Sequence, residues 1–117
     1  MRSVLVGLVV AVLWMPGAAV AGSYAPLDCA RASTPTELTI CKSYKLGQDE
    51  ARMATLYGVA MSLVAMGQRS DIRDEQVDWI DEREACGARE SCLAERYETR
   101  IKELEAVIDK IASRGPY

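Results

Sequence analysis

The stretch SDIRDEQVDWIDEREACGARESC, residues 70–92, reads as one helix, its stop and the opening of the next. At 100° per residue, Ile72, Gln76, Trp79, Ile80, Arg83 and Cys86 fall on one face. A start at Ser70 or Asp71 puts Asp74 and Glu75 in the first turns, where the helix dipole favours negative charge. Gly87 supplies the stop, Ala88 to Ser91 the turn, and Cys92 opens the following helix. A cysteine at the end of one helix and another at the start of the next can clamp the hairpin between them.

Reading forward, the fourth helix extends from Cys92 to Ala112. Leu93, Tyr97, Ile101, Leu104, Val107, Ile108 and Ile111 form a narrow apolar seam, and Glu98 with Lys102 makes a favourable exposed i,i+4 pair. Reading backward, a helix from Lys45 to Met66 carries Leu46, Met53, Ala54, Tyr57, Ala60, Met61 and Val64 on one stripe. Gly67 follows as a stop, with Gln68-Arg69-Ser70 as the turn. Gly47 and Gly58 each cost this helix roughly 1 kcal/mol relative to alanine. In front of it, Thr34-Pro35-Thr36-Glu37 places a capping threonine, proline at the first helical position and glutamate at the third. That is a capping box opening a short helix to Lys42. No β pattern interrupts this series. The expected fold is all-α, a small antiparallel helical hairpin bundle with a short capped N-terminal helix.

The beginning of the chain reads as a leader. Arg2 precedes the apolar run Val4 to Met15, Pro16-Gly17 breaks it, and Ala19-Val20-Ala21 is a small-x-small cleavage site. The run is short for a membrane span, which needs about 20 residues. Residues 1–21 are therefore expected to be a signal peptide, and residues 22–117 a soluble exported domain, periplasmic or secreted. Removing Arg2 leaves 13 basic against 17 acidic residues, a charge of −4. That balance argues against a nucleic-acid partner.

Four cysteines, Cys29, Cys41, Cys86 and Cys92, in a small exported chain point to two disulfides. Eleven and five residues separate the neighbours, which is not the Cys-x-x-Cys spacing of a metal site. The helix layout selects Cys29–Cys41 and Cys86–Cys92 from the three connectivities. A helix of six or seven residues advances only about 10 Å, and five extended residues can return that distance.

Composition removes most enzymes. There is no histidine, hence no Ser-His-Asp triad, no Cys-His pair and no histidine-ligated metal. Asp71 to Glu84 holds seven acids against Arg73 and Arg83, a local charge of −5. Those acids lie on an expected convex face with nothing to dehydrate a carboxylate pair. No catalytic, cofactor-binding or metal-binding residue is expected.

Polar side chains also fall on the inner stripes: Glu50 in the second helix, Gln76 and Arg83 in the third, and Arg100 in the fourth. Charged groups on a core face are usually paired. Counted from a turn centred between residues 68 and 69, Glu50 and Arg83 differ in height by roughly 6 Å. An arginine spans that, so the two are expected to pair beneath Trp79.

These residues resemble a known family. Asp28-Cys29-Ala30-Arg31-Ala32-Ser33-Thr34-Pro35-Thr36-Glu37 followed by Ile40-Cys41 is similar to the opening of the LprI-like lysozyme-inhibitor domain. Leu46, Met53 and Tyr57 match the spacing of its second helix. Gln76, Trp79, Arg83 and Cys86, then Cys92, Tyr97, Arg100, Ile101 and Leu104, resemble its closing signature. Asp49 stands where the family usually shows leucine, and Glu50 where aspartate is usual. The resemblance implies an exported helical domain and an inhibitor that meets lysozyme, a peptidoglycan-cleaving glycosidase, by direct contact. Many animal lysozymes are strongly basic, and an acidic chain associates faster with such a partner. Arg69 and Arg89, in the two expected turns, are the exposed side chains that could enter a lysozyme cleft, although the ordinary reading of both is a solvated turn arginine. The alternative is an envelope protein-interaction module, or an immunity protein that neutralises a toxin.

Overall fold

The computed structural model describes residues 26–115. The expected signal peptide, residues 1–21, lies outside the described residues. A 3-10 turn, Cys29–Arg31, leads into α1 (Pro35–Lys42), α2 (Tyr44–Leu63), α3 (Met66–Ala85) and α4 (Glu90–Ala112). Among the described residues there is no strand, and the fold is all-α as expected.

The capping box forms as the sequence implies. Thr34 Oγ1 accepts from the Glu37 N–H at 3.1 Å, and Glu37 Oε2 accepts from the Thr34 N–H at 3.2 Å, with Pro35 at the first helical position. Ser43 then caps α2, its hydroxyl accepting from the Leu46 N–H at 3.3 Å.

The turn after α2 is not where the sequence placed it. α2 ends at Leu63 rather than Met66, and α3 begins at Met66 rather than at Ser70 or Asp71, so Gly67 sits inside the first turn of α3. Val64 and Ala65 make the reversal in extended conformations, which need no glycine. The carbonyls at the end of α2 are satisfied from the next helix: Arg69 donates through Nε to the Met61 carbonyl at 3.0 Å and through Nη2 to that of Val64 at 3.4 Å. The second turn follows the sequence. Gly87 adopts a φ of 59°, the left-handed geometry that ends a helix, and Arg89 Nε donates to the Cys86 carbonyl at 3.1 Å. α4 begins at Glu90, two residues ahead of the expected Cys92.

Cross-helix pairs set the directions. Trp79 meets Arg96 and Gln76 meets Arg100, so α3 and α4 are antiparallel. Gln76 meets Met53 and Arg83 meets Glu50, so α3 also opposes α2. Hence α2 and α4 run parallel, and this pair has the most extensive packing in the bundle. Its outer edge carries an ion pair between Arg52 and Glu105. The core joins Ile40, Leu46, Met53, Tyr57, Ala60 and Ile72 to the α4 seam at Leu93, Tyr97, Ile101 and Leu104. Asp49, at the family's leucine position, stays at the edge of α2 and accepts from Lys45 Nζ at 2.7 Å, so it does not disturb that core.

Both disulfides have the expected connectivity. Cys29–Cys41 ties the lead-in to α1, and Cys86–Cys92 closes the α3–α4 turn.

Candidate functional site

Two features could carry function: a buried polar network and an acidic outer face. Glu50 is the centre of the first. It is only 4% exposed, and Arg83, equally buried, donates through Nη1 to its Oε2 at 3.3 Å. Moving the turn to Val64–Ala65 reverses the height mismatch between the two residues and leaves its size unchanged, so the arginine still spans it. The Tyr97 hydroxyl donates to the same oxygen at 2.5 Å, and the Leu27 N–H donates to Oε1 at 3.1 Å. One carboxylate thus joins the lead-in, α2, α3 and α4. Arg83 also packs its guanidinium 5.5 Å from the centre of the Trp79 ring and pairs with Glu84 at 3.2 Å.

Gln76 and Arg100 form a second cluster one turn away. Arg100, 2% exposed, donates through Nε to Gln76 Oε1 at 2.8 Å and through Nη2 to the Ile72 carbonyl at 3.3 Å. Its Nη1 reaches out to Glu103 at 2.9 Å and Glu75 at 3.5 Å. Gln76 Nε2 meets Met53 Sδ at 3.2 Å. Trp79 lies between the clusters, edge-on to Tyr97 with centroids 5.3 Å apart, its Nε1–H on the Arg96 carbonyl at 3.0 Å. Every polar residue expected on an inner stripe is therefore buried and partnered. Tyr57 is buried in the core beside them.

Several members of this frame were not legible. In the sequence Tyr97 falls on an apolar seam with no sign of a partner for its hydroxyl, and nothing there ties Leu27 to Glu50. Glu84 closes the acidic run that begins at Asp71, yet its Oε2 accepts from Thr34 Oγ1 at 3.0 Å and its carbonyl accepts from Thr36 Oγ1 at 3.1 Å. These bonds dock α1 onto the end of α3.

The second feature is the outer side of α3. Asp71, Asp74, Glu75, Asp78, Asp81 and Glu82 are exposed. Glu82 pairs with Arg96 at 3.1 Å and Glu75 with Arg100, while among the described residues no ion pair engages Asp74, Asp78 or Asp81. The face is less convex than expected. Glu75, Asp78 and Glu82 form one lip of an open groove of about 580 Å³ between α3 and α4, with Glu103 on the other lip and Trp79 along it.

The turn arginines are engaged. Arg69 and Arg89 direct their guanidinium groups at the carbonyls closing α2 and α3, so each acts as a helix cap contributed from beyond the turn. Two glutamates, Glu37 and Glu98, have lowered pKa values. Backbone hydrogen bonds from Ser33 and Thr34 lower that of Glu37, and a hydrogen bond from Lys102 lowers that of Glu98. Among the described residues, no group of three or more His, Cys, Asp or Glu side chains could hold a metal ion. No described helix is long and apolar enough to cross a membrane.

No curated protein and no solved structure matches the chain. A family model described as Lysozyme inhibitor LprI matches residues 29–104. That span contains both disulfides and the side chains of both polar clusters, from Glu50 to Glu103. The chain belongs to the LprI lysozyme-inhibitor family.

Proposed function

We propose that this protein is an exported inhibitor of lysozyme that acts by direct protein–protein contact and catalyses no reaction of its own. Family membership carries the reading, and the family's description is that of an inhibitor. The architecture supports it in three ways. A buried, hydrogen-bonded frame stapled by two disulfides is a rigid scaffold, and rigidity limits the ordering cost of binding. Disulfides are stable in oxidising compartments outside the cytosol, where a peptidoglycan-cleaving enzyme would be met. Finally, the uncompensated acids of α3 complement a basic partner, raising the association rate at low ionic strength.

The acidic lips of the α3–α4 groove are the contact surface in this reading, and the turn arginines are kept at home as caps. The test is a peptidoglycan-clearing assay with a panel of lysozymes, titrated with the oxidised protein at low and moderate salt. Saturable, stoichiometric loss of clearing that weakens with salt is the expected result. Absence of inhibition at micromolar protein, with the helical fold verified, would overturn the reading in favour of a different envelope or toxin partner.

A further inference from the structure

The two disulfides sit at different depths. Cys86 is 2% exposed and Cys92 half-buried, so the clamp on the α3–α4 turn is sheltered by the core. Cys29 is exposed, Cys41 is half-buried, and the 3-10 turn that carries Cys29 has no buried residue. Thiol–disulfide exchange needs an approach to one sulfur, so access discriminates between the bridges.

What the outer bridge holds is specific. Immediately before it, Leu27 half-buries its side chain against the core and donates its N–H to Glu50 Oε1. Beneath this strap lies a cavity of about 180 Å³, whose lining includes Leu27, Cys29, Ile40, Cys41, Gly47 and Glu50. The packing under the strap is therefore incomplete, and segments with few buried contacts open at low cost. α1 has anchors of its own: Thr36 and Ile40 are buried, and Thr34 and Thr36 both bond to Glu84. Opening the bridge thus frees the strap without freeing α1.

We propose that Cys29–Cys41 is a redox-sensitive latch: its reduction releases the Leu27 strap, residues 26–32, from Glu50 and uncovers the buried carboxylate, while Cys86–Cys92 and the four-helix core stay closed. The reductant is a thiol. Its thiolate attacks Cys29 Sγ, the S–S bond breaks, and the electron pair leaves on Cys41 Sγ, which takes a proton. A second thiolate then releases Cys29 as a thiol, and the reductant departs as its own disulfide. This inference is independent of whether lysozyme is the partner.

The experiment titrates the oxidised protein with reduced glutathione, then with dithiothreitol, and blocks free thiols with a mass-tagged alkylating reagent. Peptide mapping gives the order of opening, and amide hydrogen exchange follows Leu27. We expect Cys29 and Cys41 to be tagged at reductant concentrations roughly tenfold below those that tag Cys86 and Cys92. At that point protection of the Leu27 amide is lost while far-UV circular dichroism is unchanged. The double variant Cys29→Ser/Cys41→Ser should show the same Leu27 exposure without reductant. The proposal is overturned if both bridges open together, if the inner one opens first, if helicity falls with the outer bridge, or if Leu27 stays protected after it opens.

Discussion

Replacing Arg83 with methionine tests the polar frame where it is most concentrated. Methionine returns most of the volume and none of the charge, leaving the Glu50 carboxylate 4% exposed and without its cation. Removing one partner of a buried pair typically costs about 3–5 kcal/mol. Glu50 keeps the Tyr97 hydroxyl and the Leu27 N–H, two donors that favour the lower end of that range. Loss of the guanidinium beside Trp79 adds about 0.5–1 kcal/mol. We therefore expect a net loss of about 3.5–4 kcal/mol at neutral pH. At roughly 4–8 °C per kcal/mol for a domain of this size, the melting temperature falls by roughly 14–32 °C. Thermal and urea unfolding followed by circular dichroism read this directly. The double variant Glu50→Gln/Arg83→Met buries no lone charge and should recover at least about 1 kcal/mol of the deficit. An Arg83→Met protein within about 0.5 kcal/mol of wild type, or a double variant less stable than the single one, would refute the buried-pair reasoning.

Other perturbations probe separate joints. Gly58→Ala, at an exposed helical site where an added Cβ meets nothing within 4 Å, should stabilise by about 0.5–1 kcal/mol in urea titrations. Gly87→Ala, at a φ of 59°, should destabilise by about 1 kcal/mol in the same titrations. Glu37 has a lowered pKa, first through the Ser33 N–H and then through that of Thr34, so the folded state disfavours its protonation. The cap's contribution is therefore complete above the usual glutamate range and is lost as pH falls through the depressed value; Glu37→Gln should remove that part of the acid dependence of stability. Substituting both Cys86 and Cys92 with serine should cost about 2 kcal/mol by the chain-entropy estimate for so short a loop, measured by urea unfolding.

Local signals were the legible ones. Thr34-Pro35-Thr36-Glu37 specifies its cap within four residues, Gly87 its left-handed stop, and the cysteine spacing leaves few bridges that short helices can close. Glu50 and Arg83 were legible because a charge on an apolar stripe demands a partner at a matching height. The α2–α3 turn departs from its expected place because its closing element is an arginine that folds back from α3 onto carbonyls of α2; Gly67 is the stronger local cue in the sequence and is an ordinary helical residue in the structure. Tyr97 and Leu27 were missed for a related reason. A hydroxyl on an apolar seam and a backbone N–H in a lead-in carry no periodic signal; the packing of α4 beside α2 brings Tyr97 to Glu50, and the lead-in tied to α1 by Cys29–Cys41 brings Leu27 there. The parallel closeness of α2 and α4 is likewise a tertiary outcome, since connection lengths report only on sequential neighbours.

The decisive comparison sets the wild-type protein beside Asp74→Asn/Asp78→Asn/Asp81→Asn, which removes three exposed carboxylates without touching an ion pair of the α3–α4 groove. Association with a basic lysozyme is followed at low salt alongside the loss of peptidoglycan clearing. An inhibitor that docks through the acidic face of α3 should inhibit as wild type and associate roughly tenfold more slowly as the variant, the two rates converging as salt rises. Equal rates at low salt would contradict the docking face, and no inhibition by the wild-type protein would contradict the proposed function itself.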